Sequence, residues 1–199
     1  GAAEDADEAA AAPACGWPRF DAALRALRDA SAGEDAAPVA RDEAERFAAL
    51  VRILVAPRTP SAIVDAAVEA LRPTTAAEFA KRAQDDIESM LRECQVAFPG
   101  QKARYLVGAA EVCAGAFGGD VPRRPRDMRR LPGVGEKGAA QLCVSAWGCD
   151  DGGIVVGTST HRAVNALGWV DTSTPTETKK VLEAWLPRDL WRQLPSLVA

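Results

Sequence analysis

The chain has no Cys-x-x-Cys pair, a single histidine and few aromatic residues, 6% of its 199 positions. The missing Cys-x-x-Cys excludes a zinc ribbon. One histidine leaves little material for an imidazole-based metal centre. β-Branched runs are scarce, which disfavours sheet. Nowhere does an apolar run reach the roughly 18 residues of a membrane helix, so no membrane insertion is expected, and no signal peptide is visible. The five cysteines, Cys15, Cys94, Cys113, Cys143 and Cys149, are odd in number and widely spaced. That pattern argues against a disulfide scaffold and predicts free thiols in a reducing compartment. A net positive charge is also missing: the formal charge is −4. Dedicated nucleic-acid binders are usually basic, because neutralising phosphates supplies most of their affinity.

Alanine is abundant and 48% of the residues are hydrophobic, so a sizeable helical core can form. Charge is unevenly placed. Glu4, Asp5, Asp7 and Glu8 crowd the start, and Arg123, Arg124, Arg126, Arg129 and Arg130 crowd one short segment. The chain opens on Gly1, not Met, which is expected of a processed form or a fragment. Removal of an organellar targeting segment suits this, and mitochondrial location is expected ahead of nuclear.

Residues 1–16 read as a flexible acidic tail. Residues 17–41 hold a helix with Phe20, Leu24 and Leu27 on one face, then a linker, together assigned to a second lobe. From Asp42 to Ala56 the spacing of Phe47, Leu50, Val51 and Leu54 predicts the clearest early helix. Ser61 is expected to cap a helix over 62–71, and Thr74 or Thr75 one over 76–83. Helices are predicted over 85–94, with Ile87, Met90 and Leu91 inward, and over 101–116, with Tyr105, Leu106, Ala109 and Val112 inward. Further helices follow over 126–130, 136–147, 159–167, 176–185 and 188–197. Ile154–Val156 is too short for a sheet. With about ten helices, the fold class is all-α. The expected lobes are 42–147, with a helix–hairpin–helix at 126–147, and 148–199.

The most informative segment is Leu131-Pro132-Gly133-Val134-Gly135, followed by Glu136, Lys137 and an apolar helix. Gly133 and Gly135 permit backbone angles that a side chain forbids and let a phosphate approach the main chain. The next helix then begins with free N–H groups and a positive dipole end. Such a clamp binds phosphate without a basic surface, and Arg129 and Arg130 stand beside it. Taken alone, the segment equally describes a Gly-rich turn between packed helices. Lys137 is either a reactive amine at a helix N-terminus, where its charged form is disfavoured, or an ordinary surface lysine.

From about Phe47 to Leu197 the chain resembles the endonuclease III family of helix–hairpin–helix DNA glycosylases, in its eukaryotic branch. The resemblance is carried by Leu131–Lys137, by Gly118-Gly119-Asp120-Val121-Pro122 before it, by Ala146-Trp147-Gly148 after it, and by Thr158, Arg162 and Asn165. Glu183-Ala184-Trp185-Leu186-Pro187-Arg188-Asp189-Leu190-Trp191 and the turn Ala97–Ala103 around Lys102 match too. It implies two helical lobes with a DNA-binding cleft between them, and a lysine at the place of Lys137 that attacks the sugar C1′ as a Schiff-base nucleophile.

Three departures stand against that activity. The family writes Val-Asp-Thr-His where this chain has Val156-Gly157-Thr158-Ser159, so Gly157 replaces the catalytic aspartate. Asp150 and Asp151 lie upstream across Gly152 and Gly153. Pro57 replaces the glutamine that fills the gap left by a flipped base. Four cysteines that hold a [4Fe–4S] cluster in the family have no counterpart with cluster spacing, so the cluster is expected to be absent. No other metal site is expected.

The expected function is therefore a catalytically degenerate member, kept as a structural or interaction subunit of a larger assembly. A mitochondrial ribosome or other organellar complex is the expected host, with protein subunits and an RNA or DNA phosphate backbone as partners. The alternative is an active glycosylase and abasic-site lyase of base excision repair that uses Lys137. A third reading is a non-catalytic DNA-binding module. His161 is expected to be solvated or capping, and Trp169, Trp185 and Trp191 to anchor a core or an interface.

Overall fold

The structure, a computed structural model, describes residues 39–198 together with Arg25 and Asp29. The expected acidic tail and the helix expected within 17–30 lie outside the described residues. The described elements are helices, with no strand among them, so the all-α expectation holds. None of the described helices is long and apolar enough to cross a membrane. The chain divides into two compact units, one of Ala37–Gly152 and one that holds Gly153–Ala199.

The larger unit is built around α1 (Glu43–Val55). Asp42 starts it by accepting the Glu45 N–H at 2.8 Å. Phe47, Leu50, Val51 and Leu54 are buried as their spacing predicted, and Ile53 and Val55 are buried with them. A helix with so wide an apolar face belongs at the centre of a unit. Around it stand α2 (Ser61–Leu71), α3 (Ala76–Phe79), α4 (Gln84–Glu93), α5 (Pro99–Ala116), α6 (Pro125–Met128) and α7 (Glu136–Trp147). Phe47 meets Phe79 with ring centroids 5.2 Å apart, and Leu50, Leu91, Leu106, Met128 and Leu142 complete the core.

Several ends differ from the sequence-based expectation. Pro60, not Ser61, occupies the N-cap of α2, and Ser61 is already helical. Proline's fixed φ suits a helix entry even without a side-chain cap. α3 stops at Phe79 because Lys81 and Arg82 donate to Glu78 O and Phe79 O, three residues back. Those tighter bonds turn the chain out of the α-helix. α5 begins at Pro99, two residues before the expected start, with proline at a first-turn position that needs no N–H. Tyr105, Val112 and Met90, expected inward, are only half-buried.

The largest correction concerns the exit of α7. Gly148 adopts φ +63, a left-handed cap that reverses the chain. Cys149 then donates its N–H to Cys143 O at 3.2 Å. Cys143 and Cys149 form a disulfide across 5.4 Å between Cα atoms, against the expectation of free thiols. The pairing depends on a helix cap folding the chain back, which linear spacing does not display. Beyond it, a Cβ on Gly152 would lie 2.5 Å from Ala140 Cα. The segment 149–152 therefore runs back along α7, and the boundary between units falls after Gly152, not after Trp147. Before α1, Ala40 donates its N–H to Ser145 O at 3.1 Å, so residues 39–41 pack with the larger unit, not with a second lobe.

The smaller unit holds α8 (Thr158–Ala166), α9 (Pro175–Trp185), a 3₁₀ turn (Arg188–Leu190) and α10 (Leu194–Leu197). Thr174 and Glu177 form a reciprocal capping box on α9. Ile154, Val164, Leu182, Leu186, Leu190 and Leu194 make its core. Trp169 and Trp185 meet edge-on at 6.4 Å, and the Trp191 indole N–H donates to Leu186 O at 2.8 Å, so all three tryptophans serve as core anchors. His161 is half-buried and is not a cap: its Nδ1 lies 2.6 Å from Thr178 Oγ1, within a cluster that includes Asn165 and Thr172.

Candidate nucleic-acid interface

The hairpin joins α6 to α7 in seven residues. Leu131 donates its N–H to Met128 O at 3.0 Å and Val134 to Leu131 O at 3.1 Å, so two tight turns carry the reversal. Leu131 and Val134 point into the core and hold the loop down. Gly133 is indispensable for two independent reasons. Its φ is +82, and a Cβ there would stand 2.7 Å from Tyr105 Cδ2 and 2.9 Å from Leu54 Cδ2. Gly135 behaves differently from the expectation. Its φ of −88 and ψ of −171 are open to any residue, and nothing lies within 4 Å of a Cβ built on it. What glycine supplies at 135 is an uncovered approach to the start of α7, which has no side-chain cap.

Arg129, Arg130, Gly133, Gly135 and Lys137 are all exposed, and Val134 is buried beneath them. The structure thus gathers these six residues in one hairpin of the larger unit. Arg130 is tethered, its guanidinium 5.4 Å from the Phe117 ring centroid and 3.9 Å from Asp127 Oδ1. The lead-in to the hairpin is fixed by a cluster that sequence reading missed. Arg46 grips Asp120 through Nε and Nη2 at 2.9 and 2.6 Å, and lies 4.4 Å from the Trp147 ring centroid. The Trp147 indole N–H donates to Pro122 O at 3.2 Å.

A second missed residue is Lys102. The turn around it was legible as a family pattern, but its role was not. The side chain is buried on α5, and Nζ donates to Val55 O at 2.6 Å, Pro57 O at 2.8 Å and Thr59 Oγ1 at 2.8 Å. Burial pushes the ammonium pKa down, while three oxygens receive its three N–H bonds. Lys102 therefore ties the loop after α1, which contains Pro57, to the first turn of α5. Both ends of this tie hold a left-handed non-glycine residue, Arg58 at φ +57 and Phe98 at φ +56, and the Arg58 guanidinium sits 5.6 Å from the Phe98 ring centroid. Lys102→Met leaves three buried or half-buried oxygens without a donor. It is expected to lower unfolding free energy by about 2–4 kcal/mol, measured by urea denaturation.

Gly157 belongs to the smaller unit, at the N-cap of α8, with φ −103 and ψ −177 and no side-chain cap. The chain thus has no carboxylate at the position where the resemblance places one. The described cysteines do not fit a [4Fe–4S] cluster. Cys143 and Cys149 are bonded to each other, Cys113 is buried in the core, and Cys94 is not grouped with them.

Comparison with known proteins places this geometry. Residues 44–188 match the pattern of the HhH-GPD superfamily base excision DNA repair protein. The chain is 33% identical over 151 residues to an endonuclease III-like protein 1 of Gallus gallus, covering 75% of this chain and 53% of that protein. It is 33% identical over 152 residues to the endonuclease III of Thermotoga maritima, covering 75% of this chain and 69% of that protein. The chain spans about half the length of the vertebrate relatives it matches. Among solved structures, a trapped endonuclease III–DNA covalent intermediate superposes with a TM-score of 0.74 at 22% identity, over 87% of this chain and 81% of that one. With the family pattern spanning most of the chain and the hairpin folded as described, the protein belongs to the HhH-GPD superfamily of base excision DNA repair proteins, among its endonuclease III-like members.

Proposed function

We propose that this chain binds a DNA phosphate backbone through the 131–137 hairpin and opens abasic sites with Lys137, with base release curtailed by Gly157. The observation that carries this reading is the hairpin itself. Gly133 is seated on Tyr105 and Leu54, Gly135 leaves the start of α7 uncovered, and Lys137 stands exposed one residue into that helix. A helix start without a side-chain cap receives a phosphate through backbone N–H groups and dipole.

The chemistry needs one amine. Unprotonated Lys137 Nζ adds to the C1′ aldehyde of an opened abasic sugar. Loss of water gives an imine, which protonates to an iminium. Transfer of a C2′ proton to solvent water then breaks the C3′–O bond, expels the 3′ phosphate and cuts the strand. No carboxylate is needed to expel a base, since the base has already gone. Family membership favours this reading over that of a degenerate structural subunit, which rests on Gly157, Pro57 and the expectation that the cluster is absent.

The test is borohydride trapping on duplex DNA carrying one abasic site. The expected result is a covalent protein–DNA adduct that Lys137→Ala reduces by about 100-fold or more, with duplex affinity largely kept. An adduct that survives Lys137→Ala sinks the assignment of the nucleophile. No adduct at all from folded, DNA-binding protein restores the structural-subunit reading.

A further inference from the structure

We propose that Cys143 and Cys149 are a reversible thiol–disulfide pair that pins the segment leaving α7 back along that helix. The pair is closed by a hydroperoxide and opened by a dithiol. The chain reversal that sets the two sulfurs side by side is made by backbone cap bonds in which the sulfurs take no part. Gly148 reverses the chain at φ +63, the Cys149 N–H donates to Cys143 O at 3.2 Å, and the Cα atoms stand 5.4 Å apart. That separation lies within the range disulfides require, so closure needs no movement of the main chain. The cap bonds remain when the sulfurs part, which keeps them poised to close again.

The two sulfurs differ in access: Cys143 is buried and Cys149 half-buried. Cys149 is thus the one an oxidant meets. Its thiolate attacks the terminal oxygen of the hydroperoxide, the O–O bond breaks, and Cys149 becomes a sulfenic acid while the departing alkoxide (hydroxide, from hydrogen peroxide) takes a proton from water. The Cys143 thiol attacks the sulfenyl sulfur, forming the S–S bond, and its proton leaves with the hydroxyl as water. Opening reverses the roles. One thiolate of a dithiol attacks Cys149 Sγ and expels Cys143 as a thiolate, which is then protonated. The dithiol's second sulfur closes on the first and frees Cys149. Cys113 does not compete, being held in the core with its thiol pushed up to about 12 by burial and by the Asp120 charge, and the half-buried Cys94 is free, with no second cysteine paired to it.

Closure has a structural consequence on α7. Gly152, three residues after Cys149, lies so near Ala140 that a Cβ would fall 2.5 Å from its Cα. Ala140 is three positions, about one turn, after Lys137. The bond therefore anchors one end of a segment that lies along the lysine-bearing helix. The inference does not depend on what Lys137 does.

The test counts thiols and follows backbone exchange on the whole chain. After hydrogen peroxide and denaturing alkylation, three cysteines are expected to be labelled, and five after a dithiol. The tryptic peptide 138–162 from the oxidised protein should be lighter by two hydrogens. Reduction is expected to speed amide hydrogen exchange over 150–152, beyond the cap bonds, by at least roughly tenfold, and Cys149→Ser to do so without reductant. Re-oxidation should restore slow exchange in the unaltered chain alone. Five labelled cysteines after peroxide, or exchange unchanged by reduction, overturns the proposal. So does protection of the two thiols that a zinc chelator removes, since Asp151 lies close enough to both sulfurs to complete a three-ligand cation site.

Discussion

Gly157→Asp is expected to raise release of a damaged base from duplex DNA by roughly 10²–10⁴-fold, the range contributed by a positioned acid–base group. The backbone already accommodates the change: φ −103 and ψ −177 are ordinary for aspartate. The family resemblance gives a carboxylate at this position the task of stabilising positive charge that develops at the sugar C1′. A gain of this size does not arise from stability, because aspartate in place of glycine at an N-cap stabilises by only a few tenths of a kcal/mol. The measurement is single-turnover cleavage of a panel of duplexes, each with one damaged base, with and without subsequent alkali. Strand breaks appearing with Gly157→Asp, without alkali as well as with it, and not with the unaltered chain are the expected result. Equal rates for the two proteins, with the abasic-site adduct intact in both, would show that more than this carboxylate is missing.

The second large effect is structural. Gly133→Ala forces a side chain into a left-handed conformation, at a cost of about 1–2 kcal/mol, and drives its Cβ against Tyr105 and Leu54. Overpacking adds about 1–3 kcal/mol, so a total loss of about 2–5 kcal/mol is expected in urea denaturation, with duplex binding lost as the hairpin shifts. Gly135→Ala is the informative partner. With ordinary backbone angles and open space around it, it is expected to leave stability within about 0.5 kcal/mol while weakening DNA binding. Indistinguishable melting of Gly133→Ala and the unaltered chain would falsify the account of the hairpin. Equal destabilisation by both substitutions would show that the two glycines are not separate in role.

Helix content, the α1 core face and the extent of α7 were legible because each rests on local periodicity and capping. Thr75 caps α3 as expected, and α7 spans 136–147 as its apolar pattern predicts. The hairpin was legible as a motif, and so was the carboxylate missing at Gly157. Lys102 was not, since its meaning lies in oxygens more than 40 positions away in sequence. The Arg46–Asp120 pair is hidden for the same reason, its partners being 74 positions apart.

By itself, the sequence determined an all-α chain, a helix–hairpin–helix with Lys137 at the start of its second helix, and a glycine where a carboxylate was expected. Those features follow from short-range backbone preferences and from residue identity. Tertiary structure alone decided that Gly133 and Gly135 differ in kind, because only neighbours in space reveal that one glycine is seated on Tyr105 and Leu54 and the other faces open space. It also decided that Cys149 returns onto Cys143. That pairing, like the buried clamp of Lys102, depends on where the folded chain brings distant or reversed segments together, and side-chain periodicity carries no record of it.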